Sequence, residues 1–267
     1  MTDNRVLRLE GVHNFRDFGG YAVAGGGRIK RGLLWRSAQH VGATDVDLAA
    51  IDALGLATVV DLRGNSERAA APCRRGPGFT AEVILFDGET AGLGNHVDAA
   101  AGVIDEAGAK GAMGKLYSEI AFRPNLIDLL HRYFAALAER DGASLVHCLA
   151  GKDRTGLAVA LVHHALGVHR DDIVEDYLLT RTAGNIEQRI AAGAAPIRAR
   201  YGAIPDGAVR ALMGVEAEYL ETAFSAIVAR YGSLDGYLAQ VLHAGPAERE
   251  KLAQRLVEPT SEVWLTT

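Results

Sequence analysis

Cys148 and Arg154 stand with five residues between them in the stretch Ser144-Leu145-Val146-His147-Cys148-Leu149-Ala150-Gly151-Lys152-Asp153-Arg154-Thr155-Gly156. An apolar run ends at the thiol, a loop containing Gly151 follows, and the arginine opens a long apolar helix. A loop of that length wraps an anion. Its backbone N–H groups turn inward, the helix start adds partial positive charge, and the guanidinium offers a fork of donors. A cysteine at the base of such a cradle is stabilised as a thiolate and becomes a nucleophile near neutral pH. The chemistry that follows is hydrolysis of a phosphate ester through a phosphocysteine intermediate. Attack is in line, and the leaving oxygen requires a proton. A lone cysteine after an apolar strand is ordinarily a buried, inert residue. Arg154 weighs against that here, because a cation at a helix N-terminus is unfavourable unless a bound dianion answers it.

Further residues of the stretch extend this reading. Lys152 adds a second cation to the loop, which suits substrates bearing more than one phosphate. His147 is expected to be buried and structural, since a thiolate needs no separate base. The leaving group's proton needs a carboxyl group, and Asp61 lies at the C-terminal end of a predicted parallel strand, where open α/β sheets hold their sites.

The pattern His147-Cys148, five residues, then Arg154-Thr155-Gly156 resembles the signature loop of the cysteine-dependent protein tyrosine phosphatases. The fuller His147-Cys148-Leu149-Ala150-Gly151-Lys152-Asp153-Arg154-Thr155-Gly156 is similar to that of a bacterial, PtpB-like branch, which acts on phosphotyrosine, phosphoserine/threonine and phosphoinositides. The resemblance extends to Asn14-Phe15-Arg16-Asp17-Phe18-Gly19-Gly20, Trp35-Arg36-Ser37 and Asp61-Leu62-Arg63, and becomes diffuse beyond residue 180. It implies that Cys148 is the nucleophile and that Arg154 binds two phosphoryl oxygens. Thr155 would donate to the sulfur. Leu149, Ala150, Gly151, Lys152 and Thr155, with Arg16 and Arg63, would contact substrate, and Arg36 would help to hold the loop. The loop aspartate, Asp153, becomes the leading general acid, with Asp61 and Asp17 as alternatives. The resemblance implies no cofactor and no metal. Lipid phosphatases with a similar His-Cys-x-x-Gly-Lys-x-Arg loop carry another lysine where this chain has Leu149, which argues against a strong preference for polyphosphates.

The elements that position this loop can be read from periodicity. Gly32 to Ser37, Ala57 to Leu62, Ala81 to Leu85 and Ser144 to His147 are predicted strands, and their unbroken apolar runs suit a buried parallel sheet. Thr44-Asp45-Val46-Asp47 forms a capping box before Leu48, Ile51 and Leu54 at helical spacing. Pro124 opens a helix with the stripe Ile127, Leu130, Phe134 and Leu137. Leu157 to Val162 is apolar all round, so its helix should be buried, with Gly167 as its stop. The last third is helical by pattern, including Ile173 and Tyr177 and later Leu220, Phe224, Ile227 and Tyr231. The fold expected is α/β, a mainly parallel sheet flanked by helices, protein-tyrosine-phosphatase-like, with a helical C-terminal third and one domain over 1–267. Residues 87–114, rich in Gly and Ala, read equally as a mobile lid or a loosely packed helical connection, and the resemblance favours a lid insertion over 87–122.

Composition excludes several other classes. Hydrophobic residues at 49% and charged residues at 23% suit a soluble globular protein, and a formal charge of −5 argues against a nucleic-acid binder. The anion site must then be a local positive pocket on an acidic molecule. The two cysteines, Cys73 and Cys148, exclude a disulfide scaffold and suit a reducing compartment. Pro72-Cys73-Arg74-Arg75 reads as a surface loop. No apolar run reaches membrane-span length, and the N-terminus has no signal core, so a cytoplasmic location is expected, although some relatives leave the cell without a signal peptide. Val146 stands where a Walker loop needs its first glycine. The adjacent His163-His164 cannot share a helix face, and no other metal-ligand spacing is present. The expected partners are a phosphorylated protein or phosphoinositide and an oxyanion in the loop. The competing readings are a phosphoinositide or inositol-phosphate phosphatase and a module that binds phospholigands without turnover.

Overall fold

The computed structural model describes residues 5–89, 105–202 and 204–259. Its main sheet has the order β1 (Arg16–Asp17), β3 (Leu34–Ser37), β6 (Ala143–His147), β4 (Leu56–Asp61), β5 (Glu82–Ile84). Only β1 against β3 is antiparallel; the other three pairings are parallel. Strand alternation divides the core between the two faces of the sheet. Val59 and Leu145 join Leu48 and Ile51 on one face, while Val60 and Val146 join Leu157 and Leu161 on the other. This is the α/β architecture expected.

The helices form where their caps and stripes direct. In α1 (Asp45–Asp52) the Thr44 hydroxyl accepts from Asp47 N at 3.2 Å while the Asp47 carboxylate accepts from Thr44 N at 3.0 Å. α4 (Pro124–Glu139) starts at its proline and buries Leu126, Leu130, Phe134 and Leu137, whereas Ile127 is only partly buried. α5 (Asp153–Ala165) is buried almost throughout. The C-terminal third consists of α6 (Arg170–Leu178), α7 (Thr180–Ala183), α8 (Ile186–Tyr201), α9 (Asp206–Met213), α10 (Ala217–Tyr231), α11 (Leu234–Gln240) and α12 (Pro246–Leu256). Two elements were not foreseen: the short helix α2 (Asn65–Ala70), and β7 (Val257–Glu258), which pairs antiparallel with β2 (Arg28–Ile29) in the stretch 5–37 that reads as short strands and turns. Among the described residues no helix is long and apolar enough to cross a membrane.

Within the segment 87–122 expected to cover the site, residues 90–104 lie outside the described residues. Its second half differs from a loose cover. α3 (Glu106–Ile120) buries Ala109, Met113, Leu116, Tyr117 and Ile120, and packs on α9 and α10. The spacing is helical, but Gly108, Gly111 and Gly114 dilute the apolar stripe. This stretch is core.

Candidate active site

The parallel strands end together, with Ser37 and Asp61 in register on either side of His147. The chain then turns sharply into α5. Gly151 makes the turn at φ +64°, and a Cβ there would meet Ser37 O at 2.4 Å, so the position requires glycine. The carbonyls of the loop are drawn outward. Leu149 O accepts from Gln39 N at 3.1 Å, Ala150 O from Arg189 Nη1 at 3.2 Å, and Gly151 O from Asn14 Nδ2 at 2.7 Å and Arg36 Nη2 at 3.0 Å. The amides of residues 149–153, in contrast, donate to no protein group among the described residues, and Gly156 N returns to Lys152 O at 2.8 Å. Outward carbonyls and uncommitted amides make an anion nest at a helix start.

Cys148 is buried at the base of this loop and Arg154 is 8% exposed at its far end. Arg154 Nη1 and Nη2 bond the two carboxylate oxygens of Glu67 at 2.6 and 2.7 Å, and Nη1 also donates to Leu62 O at 3.0 Å. Burial opposes the charge of Arg154, but Glu67 and the Cys148 sulfur outweigh it and raise its pKa. Burial would likewise lift Glu67, yet its bonds to Arg154 hold its carboxyl below the usual range. Glu67 sits on α2 and carried no sequence signal, because its partner is remote and the helix is only six residues long. The Thr155 hydroxyl is fully buried and has no hydrogen-bond partner among the described residues, so its implied bond to the sulfur is not formed.

Lys152 departs from expectation. As the residue preceding α5 it turns its side chain into the helical layer, where Nζ donates to Leu212 O at 2.7 Å and lies 3.4 Å from Asp153 Oδ1. Burial pushes its pKa down, although Asp153 works the other way. It is therefore not a second cation facing substrate. A cation that does stand beside the loop is Arg189 of α8, whose charge burial disfavours and Cys148 and Asp153 favour. Its helix is rich in alanine and carries no motif that would have marked it.

The three carboxylates have different surroundings. Asp153 is half-buried at the end of the loop, with Oδ1 accepting from the Tyr117 hydroxyl at 2.7 Å. Asp61 forms a buried pair with Arg63, at 2.9 Å from Nε and 2.8 Å from Nη2. Although burial alone would raise its pKa, the bonds and charge of Arg63 hold the carboxyl well below the usual range, so it has no proton to give near neutrality. Asp17 accepts from Gly19 N and Gly32 N, both at 2.7 Å, and its strand partner is Trp35, set back from the loop. Burial raises its pKa, but both oxygens are committed to closing that turn.

Arg16 and Arg63, expected to touch substrate, are both buried and turned to protein groups. Arg16 bonds Asp176 and Asn14, and Arg63 bonds Asp61, Gln39 and Ala71. Their role is support, because each answers a buried carboxylate. Arg36 bridges Asp176 Oδ2, at 2.7 Å, to the loop carbonyl of Gly151. His147 is buried against His40, ring centroids 5.3 Å apart, and burial pushes its pKa down to about 4. Cys73 is half-buried instead of lying on the surface, since its sulfur accepts from His40 N at 3.3 Å and Arg63 Nη2 at 3.1 Å. Asp61, Cys73 and His147 bring ligand atoms within 4.8 Å of one another, yet Arg63 Nη2 already donates to two of them, Asp61 and Cys73.

The chain also resembles known phosphatases along most of its length. The chain is 33% identical to the triple specificity protein phosphatase PtpB of Mycobacterium tuberculosis, over 87% of this chain and 92% of that one. It is 32% identical to a Cupriavidus necator relative bearing the tyrosine-protein phosphatase name, over 91% and 86% of the two chains. The crystal structure of P. aeruginosa TpbA aligns with 72% of this chain at 21% identity and a TM-score of 0.34, too distant to inform the site. A model of the tyrosine phosphatase family matches residues 7–258, so the chain belongs to that family and is a phosphatase.

Proposed function

We propose that the enzyme cleaves phosphomonoesters in two steps at Cys148, with phosphotyrosine in proteins as its preferred substrate. The phosphoryl group sits in the nest of amides 149–153 while Arg154 takes its equatorial oxygens. That guanidinium, held by Glu67, is a planar fork whose donors match a pair of phosphoryl oxygens. The Cys148 thiolate attacks phosphorus, the bond to the leaving oxygen breaks, and Asp153 gives that oxygen its proton. Water then attacks the phosphocysteine, Asp153 takes the water's proton, and thiolate and phosphate separate. Asp153 is the carboxyl group best suited to this role, because Asp61 is committed as an anion and Asp17 to a turn.

The observation that carries the reading is the loop itself, outward carbonyls and uncommitted amides between a buried cysteine and a paired arginine. One relative's name records triple specificity, so phosphoserine/threonine and phosphoinositides are proposed as secondary substrates. With Lys152 buried and Leu149 uncharged, the loop offers little for additional phosphates. A phosphotyrosine peptide is therefore expected to be hydrolysed faster than a 3-phosphoinositide, and an inositol polyphosphate slowest. Cys148→Ser should lose at least about a thousandfold in kcat on p-nitrophenyl phosphate and on the peptide. A rate order led by the inositol polyphosphate, or turnover surviving in Cys148→Ser, overturns the reading.

A further inference from the structure

Tyr117 lies on the buried face of α3, and nothing in the chemistry so far has used it. Its hydroxyl is 2.7 Å from Asp153 Oδ1 and 2.7 Å from the hydroxyl of Tyr177 on α6. Both tyrosines are at most 1% exposed, and the Tyr219 ring packs against Tyr117 at 5.6 Å between centroids. A carboxylate can only accept, so Tyr117 donates to Asp153 and its own oxygen is left to accept from Tyr177. The chain of bonds thus runs in one direction, Tyr177 to Tyr117 to Oδ1. Burial, with Asp153 beside both, holds the two phenols protonated far above their ordinary pKa, so the donors stay in place.

The two oxygens of Asp153 are not equivalent. Oδ1 also has the Lys152 ammonium at 3.4 Å, while Oδ2 has no partner among the described residues. A proton on the carboxyl group goes to the oxygen that is not already accepting two donors.

We propose that Tyr117, backed by Tyr177, is a positioning residue that fixes the Asp153 carboxyl so that Oδ2 carries the proton delivered to the leaving oxygen. This rests on Asp153 as the general acid and specifies how it is aimed. In the first step the Oδ2–H bond breaks as the phosphorus–oxygen bond breaks, and the proton leaves with the alcohol or phenol. The new carboxylate is received by the Tyr117 O–H and the Lys152 ammonium, both at Oδ1. In the second step Oδ2 recovers a proton from the attacking water.

The test is leaving-group dependence. In Tyr117→Phe, kcat on phenyl phosphate should fall about 10- to 100-fold, with a much smaller loss on p-nitrophenyl phosphate, whose leaving group needs less protonation. The basic limb of its pH profile should move to higher pH, because a carboxylate that loses a donor binds its proton more tightly. Tyr177→Phe should give a smaller change of the same sign, and it covers the case in which Tyr117→Phe does not fold. Asp153→Asn separates the two levels. If it does not steepen the leaving-group dependence, Asp153 is not the acid and that earlier reading fails. If it does, while Tyr117→Phe lowers both substrates by the same factor with an unmoved limb, the proposal alone is overturned.

Discussion

Arg154 reaches its place through a bond that no motif announces. Glu67 is 87 positions away in the chain and takes two of the guanidinium's donors, fixing the plane of the fork that faces the nest. Removing that carboxylate leaves the charge of Arg154 intact but takes away two of the bonds that orient it. Glu67→Gln is expected to lower kcat/KM on p-nitrophenyl phosphate by about 10- to 100-fold, the loss typical of slight misplacement of a reacting group. Inhibition by inorganic phosphate should weaken in parallel. Steady-state kinetics with a phosphate inhibition series measures both, and an unchanged inhibition constant would show that Arg154 is oriented without Glu67. The contrast with Cys148 and Arg154 explains what was legible. Nucleophile and fork are bound to each other by local spacing, which a sequence displays. Glu67, Arg189 and Tyr117 reach the loop from α2, α8 and α3, and only folding brings them there. Lys152 shows the converse: its position in the loop was plain, but one side-chain turn toward Leu212 O removes it from the nest.

The elements around the loop are pinned by a buried charge on α6. Asp176 receives Arg16 of β1 and Arg36 of β3, and Arg36 passes the constraint on to Gly151 O. Burial alone would lift the Asp176 carboxyl, but the two guanidinium groups hold it far below the usual range. Asp176→Asn keeps the shape and removes the charge, leaving both arginines, each wholly buried, without an anion. The expected cost is about 3–5 kcal/mol of stability. Urea denaturation reads that loss, and a change under about 1 kcal/mol would mean that the arginines find water or other partners. Activity should fall further than the folded fraction, because Gly151 O loses the anchored donor. The strands and helices carrying this frame were legible where apolar runs or caps are strong, as in β4, β6, α1, α4 and α5. The two-residue strands β2 and β7 and the six-residue helix α2 are too short to show a period. α3 hid its stripe among glycines.

Across the whole molecule, the acidic balance conceals a core that excludes protons. His40, His147 and His163 are buried, and burial lowers the pKa of each. Each therefore folds as the neutral ring, while the unfolded chain protonates near 6.5. Below that pH the unfolded state binds more protons than the folded one, so stability is complete above about pH 6.5 and is lost as the pH falls. For His147 the loss runs from the unfolded value of 6.5 down to about 4, a gap equivalent to about 3 kcal/mol when fully traversed. Asp61 and Asp176 act in a lower window. Their folded pKa values are depressed, so their contribution persists down to the ordinary value of 3.8 and is lost only below it. The two sets predict a stability curve that starts to fall near pH 6.5, well before carboxylates protonate. Urea midpoints measured from pH 8 to 4 should be flat above about pH 7 and then decline, with the decline reduced in His147→Asn relative to that variant's own value at pH 8. A curve that remains flat to about pH 4.5 would mean that His147 keeps its proton in the folded enzyme, in contact with Asp61 3.8 Å away, and that the site is built on an ion pair instead of a neutral ring.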